Sequence, residues 1–135
     1  MTRRIAASFA RQSMMQTFGA TLDSVADGRV TISAPILPGS QQQQGFAHAA
    51  LTFGLGDSAA GYAALTTLPD DQEVVTAEIK INLTAPATGD RLIAKGRVVK
   101  PGRRLIVVTS EVFARKDGHD TLVAILQGTM VPVKA

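Results

Sequence analysis

The stretch Gln41–Pro69 limits the possible folds of this chain more than any other feature. It begins with four glutamines and continues as a long run of small and apolar residues that holds one charge, Asp57. We expect a helix that starts near Phe46 or Ala47 and ends before Pro69, because the residue preceding a proline disfavours helical geometry. A helix that is apolar on nearly every side must be enclosed by other structure. Burial of a lone carboxylate costs free energy, so such a group usually has a hydrogen-bonding or charged partner or a functional role.

Two glycines of this predicted helix, Gly54 and Gly61, lie seven residues apart on one stripe. Glycine allows close approach because it carries no Cβ. We therefore expect a backbone or a sheet to pack closely against this stripe.

The enclosing structure is predicted by a change of period after Asp70–Asp71. In Val75–Leu83 apolar and polar residues alternate, which is typical of a strand with one buried face. Turn residues separate this strand from three others, and we interpret the four as an antiparallel meander. The predicted elements are a helix at Ile5–Phe18, a hairpin of Ala20–Ala26 and Arg29–Pro35, and meander strands at Val75–Leu83, Arg91–Val99, Arg104–Arg115 and Thr121–Val133. The fold class is therefore α+β: a curved antiparallel sheet of five or six strands around one long helix, in a single domain of residues 1–135.

Composition narrows the possible functions. The net charge of +3 and the pI of about 9.7 are only mildly basic, and one tyrosine and no tryptophan are available for base stacking. Both features argue against a nucleic-acid partner. The chain has no cysteine and only two histidines, so we predict no metal site. The apolar stretch contains His48 and Asp57, which argues against a membrane span, and we expect a cytoplasmic protein.

The long apolar stretch also carries a family resemblance. Gly45–Ala50 reads Gly-Phe-Ala-His-Ala-Ala, and Asp57 follows nine residues after His48. This pattern resembles the G-x-x-H-G-G…D signature of hotdog-fold acyl-CoA thioesterases of the PaaI-like, phenylacetic acid degradation type. The resemblance covers roughly Gly19–Val133. Further matching segments are Val75–Pro86, Gly96–Val99, Pro101–Arg104 and Gln127–Thr129.

The resemblance implies the main catalytic roles. Asp57 occupies the position of the acidic residue that either activates water or attacks the thioester carbonyl directly. The backbone N–H of Ala49, at the start of the helix, is the implied donor to the oxyanion. The family usually has glycine where this chain has Ala49 and Ala50, and the added methyl groups narrow the space near the carbonyl.

Three further residues have supporting roles by the same resemblance. Gln42 corresponds to a side chain that orients the carbonyl or the water, with Gln43 as a near rival in the glutamine run. Thr76 corresponds to a Ser/Thr that holds the attacking water, although a strand threonine can also be a simple β-former. His48 is expected to support the loop through a hydrogen bond rather than to act as a base.

The implied substrate is a small or aromatic acyl-CoA, with coenzyme A as part of the substrate and no separate cofactor. Arg103 and Arg104 are the candidate phosphate-binding residues, since the planar guanidinium donates two hydrogen bonds at once. The alternative is a non-catalytic acyl-CoA-binding or scaffold dimer of the same fold.

The spacing of Ala49 and Asp57 predicts more than one chain per site. Eight helical residues rise by about 12 Å, so one helix cannot bring both groups within about 3 Å of one carbonyl. We therefore expect a homodimer with the site at the subunit interface. An open sheet with exposed edges also favours pairing, and a dimer of dimers is the expected assembly.

Overall fold

The structure is a computed structural model that describes all 135 residues. Two short N-terminal helices precede a hairpin, one long helix and four long strands. The helices are α1 (Thr2–Arg11), α2 (Ser13–Phe18) and α3 (Ala49–Leu65), with a short 3-10 turn at Pro38–Ser40. The strands are β1 (Thr21–Ala26), β2 (Arg29–Pro35), β3 (Gln72–Leu83), β4 (Arg91–Lys100), β5 (Ile106–Lys116) and β6 (His119–Lys134).

All six strands form one antiparallel sheet in the order β1-β2-β4-β5-β6-β3. The predicted sheet of five or six strands around a long helix, with helical structure at the N-terminus, is confirmed. The predicted four-strand meander is wrong in one respect, because β3 pairs with β6 and not with β4. Alternation identifies a strand but not its neighbour, so the sequence could not place β3 at the sheet edge.

Helix α3 packs against the sheet through its smallest residues. The backbone of Ala59 and Ala60 lies directly over Gly96 of β4, where a Cβ would collide with it. A Cβ at Gly56 would come within 2.8 Å of Leu126 in β6. Ser110 of β5 adds a buried hydrogen bond of 2.6 Å from its hydroxyl to the carbonyl of Gly56. The small residues therefore let helix and sheet approach closely enough to exclude water.

The close approach does not occur at both predicted glycines. Phe18 packs against Gly54, where a Cβ would lie 2.8 Å from its ring, so a side chain of α2 makes the close contact and not the predicted backbone or sheet. Gly61 is different, since a Cβ there would meet only the terminal methyl of Met130 at 4.0 Å. The expected close contact at Gly61 is wrong, and open space lies beside it.

The long helix begins later than predicted and ends before Pro69, as predicted. It begins at Ala49 rather than Phe46 or Ala47, because the His48 side chain caps it by accepting a hydrogen bond from the Ala50 amide. It ends at Leu65, before the turn that leads to Pro69. No helix of the protein has the length and apolar character needed to cross a membrane.

The predicted helix Ile5–Phe18 is two helices. Gln12 separates them in an extended conformation, with φ −84° and ψ 94°. Its side chain bonds to residues of α3, and this tertiary contact replaces local helix continuity. Polar residues 12–13 interrupt the hydrophobic spacing here, but an interruption of the spacing does not by itself show that the helix breaks.

Candidate active site

Asp57 lies half-buried in the middle of α3 and faces a cleft of about 200 Å³. Helix α1 and the α1–α2 junction, helix α3 and the start of β3 form the walls. Residues that line it include Ser8, Gln12, Asp57, Gly61, Tyr62 and Thr76. A carboxylate that faces a cleft from a fixed helix is available to a small bound molecule.

Thr76 fixes the orientation of this carboxylate. Its hydroxyl donates a hydrogen bond of 2.7 Å to Oδ1 of Asp57 and also lies 3.2 Å from the sulfur of Met130. The register of β3 against β6 shifts directly after Thr76, between Thr76 and Glu78. A bulge of this kind re-aims side chains next to it. Oδ2 of Asp57 accepts no hydrogen bond within the chain and stays available to a ligand.

A second cleft, of about 470 Å³, lies at the N-terminal end of α3. Gln42, Ala49, Thr52 and Leu83 are among its lining residues. The exposed Ala49 amide donates no hydrogen bond within the chain, because it is the first residue of the helix. A free N–H at the positive end of the helix dipole suits a carbonyl oxygen that gains negative charge.

Gln42 is the one glutamine of the run that lines this second cleft; Gln43 does not. Its side-chain oxygen accepts hydrogen bonds from the amides of Gln44 and Phe46, and its nitrogen lies 3.2 Å from the side-chain oxygen of Gln44. The side chain therefore organises its own loop and borders the Ala49 cleft at the same time.

His48 stabilises the start of the helix and does not border either cleft. Its Nδ1 accepts a hydrogen bond of 2.9 Å from the Ala50 amide, which satisfies one of the free donors of the helix start. His48 lines neither the Asp57 cleft nor the Ala49 cleft. Its geometry is that of a capping residue.

The structure separates the predicted site residues into two groups within one chain. Asp57 and Thr76 share the first cleft, whereas Ala49 and Gln42 share the second, and no residue lines both. Strand β3 links the two groups, since Thr76 lies near its start and Leu83 at its end. Arg103 and Arg104 lie exposed in the loop between β4 and β5 and line neither cleft.

Sequence reasoning missed a polar group that lines the Asp57 cleft. The Gln12 amide donates 3.0 Å to the Tyr62 hydroxyl, and the Ser58 hydroxyl donates 3.1 Å to the Gln12 oxygen. Ser8 adds a third contact, 3.3 Å from the Tyr62 oxygen. The polar interruption of the N-terminal hydrophobic spacing at residues 12–13 was the available signal.

Comparison with known proteins assigns the chain to a family. Residues 44–120 match the family model described as the thioesterase superfamily, which is more than half of the 135-residue chain. The chain belongs to the thioesterase superfamily. The predicted resemblance to hotdog thioesterases is thereby confirmed, while the roles of the individual site residues stay predictions.

Solved structures resemble this thioesterase-superfamily chain over nearly its whole length. A thioesterase family protein from Silicibacter pomeroyi superimposes with a TM-score of 0.97 at 37% identity, covering 99% of this chain and 98% of that one. A Bacillus halodurans protein crystallised with CoA superimposes with a TM-score of 0.79 at 27% identity, covering 96% and 82%.

A curated relative matches over a shorter span. A protein of Saccharolobus solfataricus, named as a proposed esterase, is 36% identical over 87 residues. These residues are 64% of this chain and 55% of that protein, so the chain spans about half the length of the curated relative it matches.

Proposed function

We propose that this member of the thioesterase superfamily hydrolyses the thioester of a small or aromatic acyl-CoA to the free acid and CoA. The observation that carries the proposal is the Asp57 carboxylate, held by Thr76 and open to a cleft on its other oxygen. The unpaired amide of Ala49 at the helix start supplies the complementary donor. Family membership supports the reaction class.

The chemistry needs both groups at one carbonyl. Asp57 either removes a proton from water as that water attacks the carbonyl carbon, or attacks the carbon itself to form an acyl anhydride that water then opens. In both routes the Ala49 N–H stabilises the oxygen that becomes negative, and the C–S bond breaks to release the CoA thiolate, which takes up a proton.

The position of β3 supports assembly of this site from two chains. This twelve-residue strand is the sheet edge, paired with β6 on one side only, and Val75 and Leu83 on it are 50% and 56% exposed. An open edge is a template for pairing with another chain. We propose two-fold antiparallel pairing of β3 with its copy about an axis at Lys80, because residues that face each other across such an axis must point to the same side of the sheet. Leu83 then lies opposite the irregular position that follows Thr76 of the partner subunit.

This pairing has a direct consequence for the two clefts. Thr76 lines the Asp57 cleft, and Leu83 lines the Ala49 cleft. Paired strands lie about 4.8 Å apart, so the Asp57 cleft of one protomer meets the Ala49 cleft of its partner. A two-fold axis makes two such composite sites per dimer.

The size of the cleft and the exposed charges support the proposed substrate class. The Asp57 cleft of about 200 Å³ suits a short acyl chain or a single aromatic ring rather than a long lipid. The exposed Arg103 and Arg104 are the proposed contacts for the CoA phosphates. The CoA bound to the Bacillus halodurans relative supports CoA as the carrier.

The test is hydrolysis of an acyl-CoA panel by the purified protein, followed with a thiol reagent. Asp57→Ala should lower kcat by at least about a hundredfold, the usual contribution of a positioned general base. Asp57→Asn is the matched control, because an amide oxygen can still accept from Thr76 and the fold should persist. CoA release by wild type no faster than by Asp57→Ala on every substrate would contradict the proposal. Binding without turnover would favour the non-catalytic acyl-CoA-binding dimer.

A single turnover in water labelled with heavy oxygen tests for the anhydride route. Water that opens the anhydride at the aspartyl carbonyl leaves label in the Asp57 carboxylate, so labelled enzyme demonstrates this route. Direct attack by water on the thioester, or attack of water on the acyl carbonyl of an anhydride, puts the label in the product acid alone.

A further inference from the structure

Two residues of the N-terminal helical segment, Ser8 and Gln12, line the Asp57 cleft. Gln12 interrupts helical geometry between α1 and α2, and its side-chain amide lies against α3. Its nitrogen donates to the Tyr62 hydroxyl at 3.0 Å, and its oxygen accepts from the Ser58 hydroxyl at 3.1 Å. Because both ends of the amide are held, the side chain has a fixed position next to the catalytic carboxylate.

The partners of Gln12 are themselves fixed. Tyr62 is 7% exposed and its ring packs against Phe9 of α1, with centroids 6.2 Å apart. Ser58 directly follows Asp57 on the rigid helix. The barrier that Gln12 forms is therefore built from packed elements on both sides and does not depend on a mobile loop.

Gly61 provides the space that this barrier limits. It lies one helical turn beyond Asp57 and lines the same cleft. The volume that a side chain would fill is empty there, since a Cβ would meet only Met130 at 4.0 Å. Gln12 lines the same cleft as Asp57 and Gly61, so a bound group that fills this opening comes close to Gln12.

We propose that Gln12 is a specificity-determining residue that ends the acyl cleft and selects for a short acyl group with a hydrogen-bonding far end. This inference rests on the proposed function, because it assumes that the acyl group enters the Asp57 cleft. The Gln12 amide retains a second N–H and a second acceptor lone pair beyond its bonds to Tyr62 and Ser58. An alkyl end would leave these groups unpaired, whereas a hydroxyl can bond to them.

The experiment uses the full-length protein with three substrates: hexanoyl-CoA, octanoyl-CoA and the ω-hydroxy derivative of hexanoyl-CoA. Gln12→Ala removes the barrier and should raise the octanoyl to hexanoyl ratio of kcat/KM about tenfold. Gln12→Leu keeps the bulk and removes the polarity, so it should lower the hydroxyhexanoyl to hexanoyl ratio about tenfold. Gly61→Val should fill the opening and lower kcat/KM for all three substrates.

Gln16→Ala is the matched control. Gln16 lies on α2, is exposed, and bonds to the carbonyl of Ala10 instead of to α3. It should leave both substrate ratios within about twofold of wild type. If both kcat/KM ratios are the same for wild type, Gln12→Ala and Gln12→Leu, the inference is wrong. Hydrolysis by wild type in that experiment would still support the proposed function.

Binding of the S-hexyl, S-octyl and ω-hydroxyhexyl thioethers of CoA, measured by calorimetry, gives a readout without turnover. Kd ratios that change with Gln12 in a protein that hydrolyses nothing would support the specificity role and reject the catalytic proposal. A wild-type protein that neither binds the thioethers nor cleaves the esters would reject both.

Discussion

Thr76 Oγ1 lies 2.7 Å from Oδ1 of Asp57, so a residue of the edge strand β3 holds the carboxylate of the central helix α3. This bond couples the proposed catalytic group to the strand through which we propose that two protomers pair. Formation of the proposed dimer and orientation of the carboxylate therefore involve the same strand.

Thr76→Val should lower kcat about tenfold with little change in KM. The substitution keeps the shape and removes the hydrogen bond to the charged oxygen, which is worth about 1.5–3 kcal/mol. Asp57 then samples orientations that do not serve attack. Steady-state kinetics check this, and Thr76→Ser, which keeps the hydroxyl, should stay close to wild type. Equal kcat for the valine and serine variants would show that the bond has no part in catalysis.

Ala49→Pro should remove the oxyanion donor and leave the helix in place. Proline is favoured at the first helical position, and His48 before it already has the extended conformation that proline requires, with φ −64° and ψ 144°. The Ala49 N–H bonds to nothing in the chain, so only the substrate should lose a partner. We expect kcat to fall by about a hundredfold to a thousandfold, as for other oxyanion donors. Circular dichroism and thermal melting confirm the fold, and an active, folded Ala49→Pro protein would assign the donor elsewhere.

Mixing two inactive variants should restore activity. An Asp57→Ala chain keeps its Ala49 amide, and an Ala49→Pro chain keeps its Asp57 carboxylate. In a mixed dimer one composite site is complete, so random re-association should return about a quarter of the wild-type sites. Assay of the mixture after dissociation and re-association measures this. No recovery despite mixed dimers detected by mass spectrometry would place both groups in one chain.

The sequence predicted the long helix and the strands well, because each depends on a pattern within its own residues. The alternation in Val75–Leu83 and the unbroken apolar character of the long helix each identify one element from its own residues. Three features depended on distant partners and could not be predicted in the same way. The edge position of β3 is set by pairing with β6, and the helix break by contacts of Gln12 with α3. The space at Gly61 exists because the only side chain near it, Met130, stays 4.0 Å from the position of a Cβ.

The candidate site was predicted to a similar extent. The family pattern proposed Asp57 and Ala49, and the structure puts them in separate clefts of one chain, as the helical rise required. The resemblance favoured Gln42 over Gln43, and the structure places Gln42 and not Gln43 at the Ala49 cleft, while its role stays a prediction.

The glycines of α3 predict opposite effects of one substitution. Gly61→Ala should stabilise the protein by about 0.5–1 kcal/mol, since alanine favours helix and the space there is open. Gly56→Ala should destabilise it by about 1–3 kcal/mol, because the new methyl group meets Leu126 within 2.9 Å. Urea unfolding of the two variants gives both values. If both substitutions changed the free energy of unfolding in the same direction, helix propensity rather than packing would determine the effect.

Asp120→Asn should show how one exposed ion pair depends on pH. The guanidinium of Arg115 donates two hydrogen bonds to Asp120, at 2.8 and 3.0 Å, and these bonds lower the pKa of the Asp120 carboxyl. A pKa that is lower in the folded state stabilises the protein above the ordinary aspartate range, and the contribution disappears as pH falls through the folded pKa. The melting temperature of the Asn variant should therefore be lower than that of wild type at neutral pH and equal to it in strong acid.

Thermal melts from about pH 7 to about pH 2 test this, with Asp27→Asn as the matched control. Asp27 lies exposed in the β1–β2 turn and forms no ion pair, so the same charge change should leave the pH profile of the melting temperature close to wild type. A gap between wild type and Asp120→Asn that persists unchanged into strong acid would mean that the substitution acts through the shape of the turn and not through the charge on Asp120.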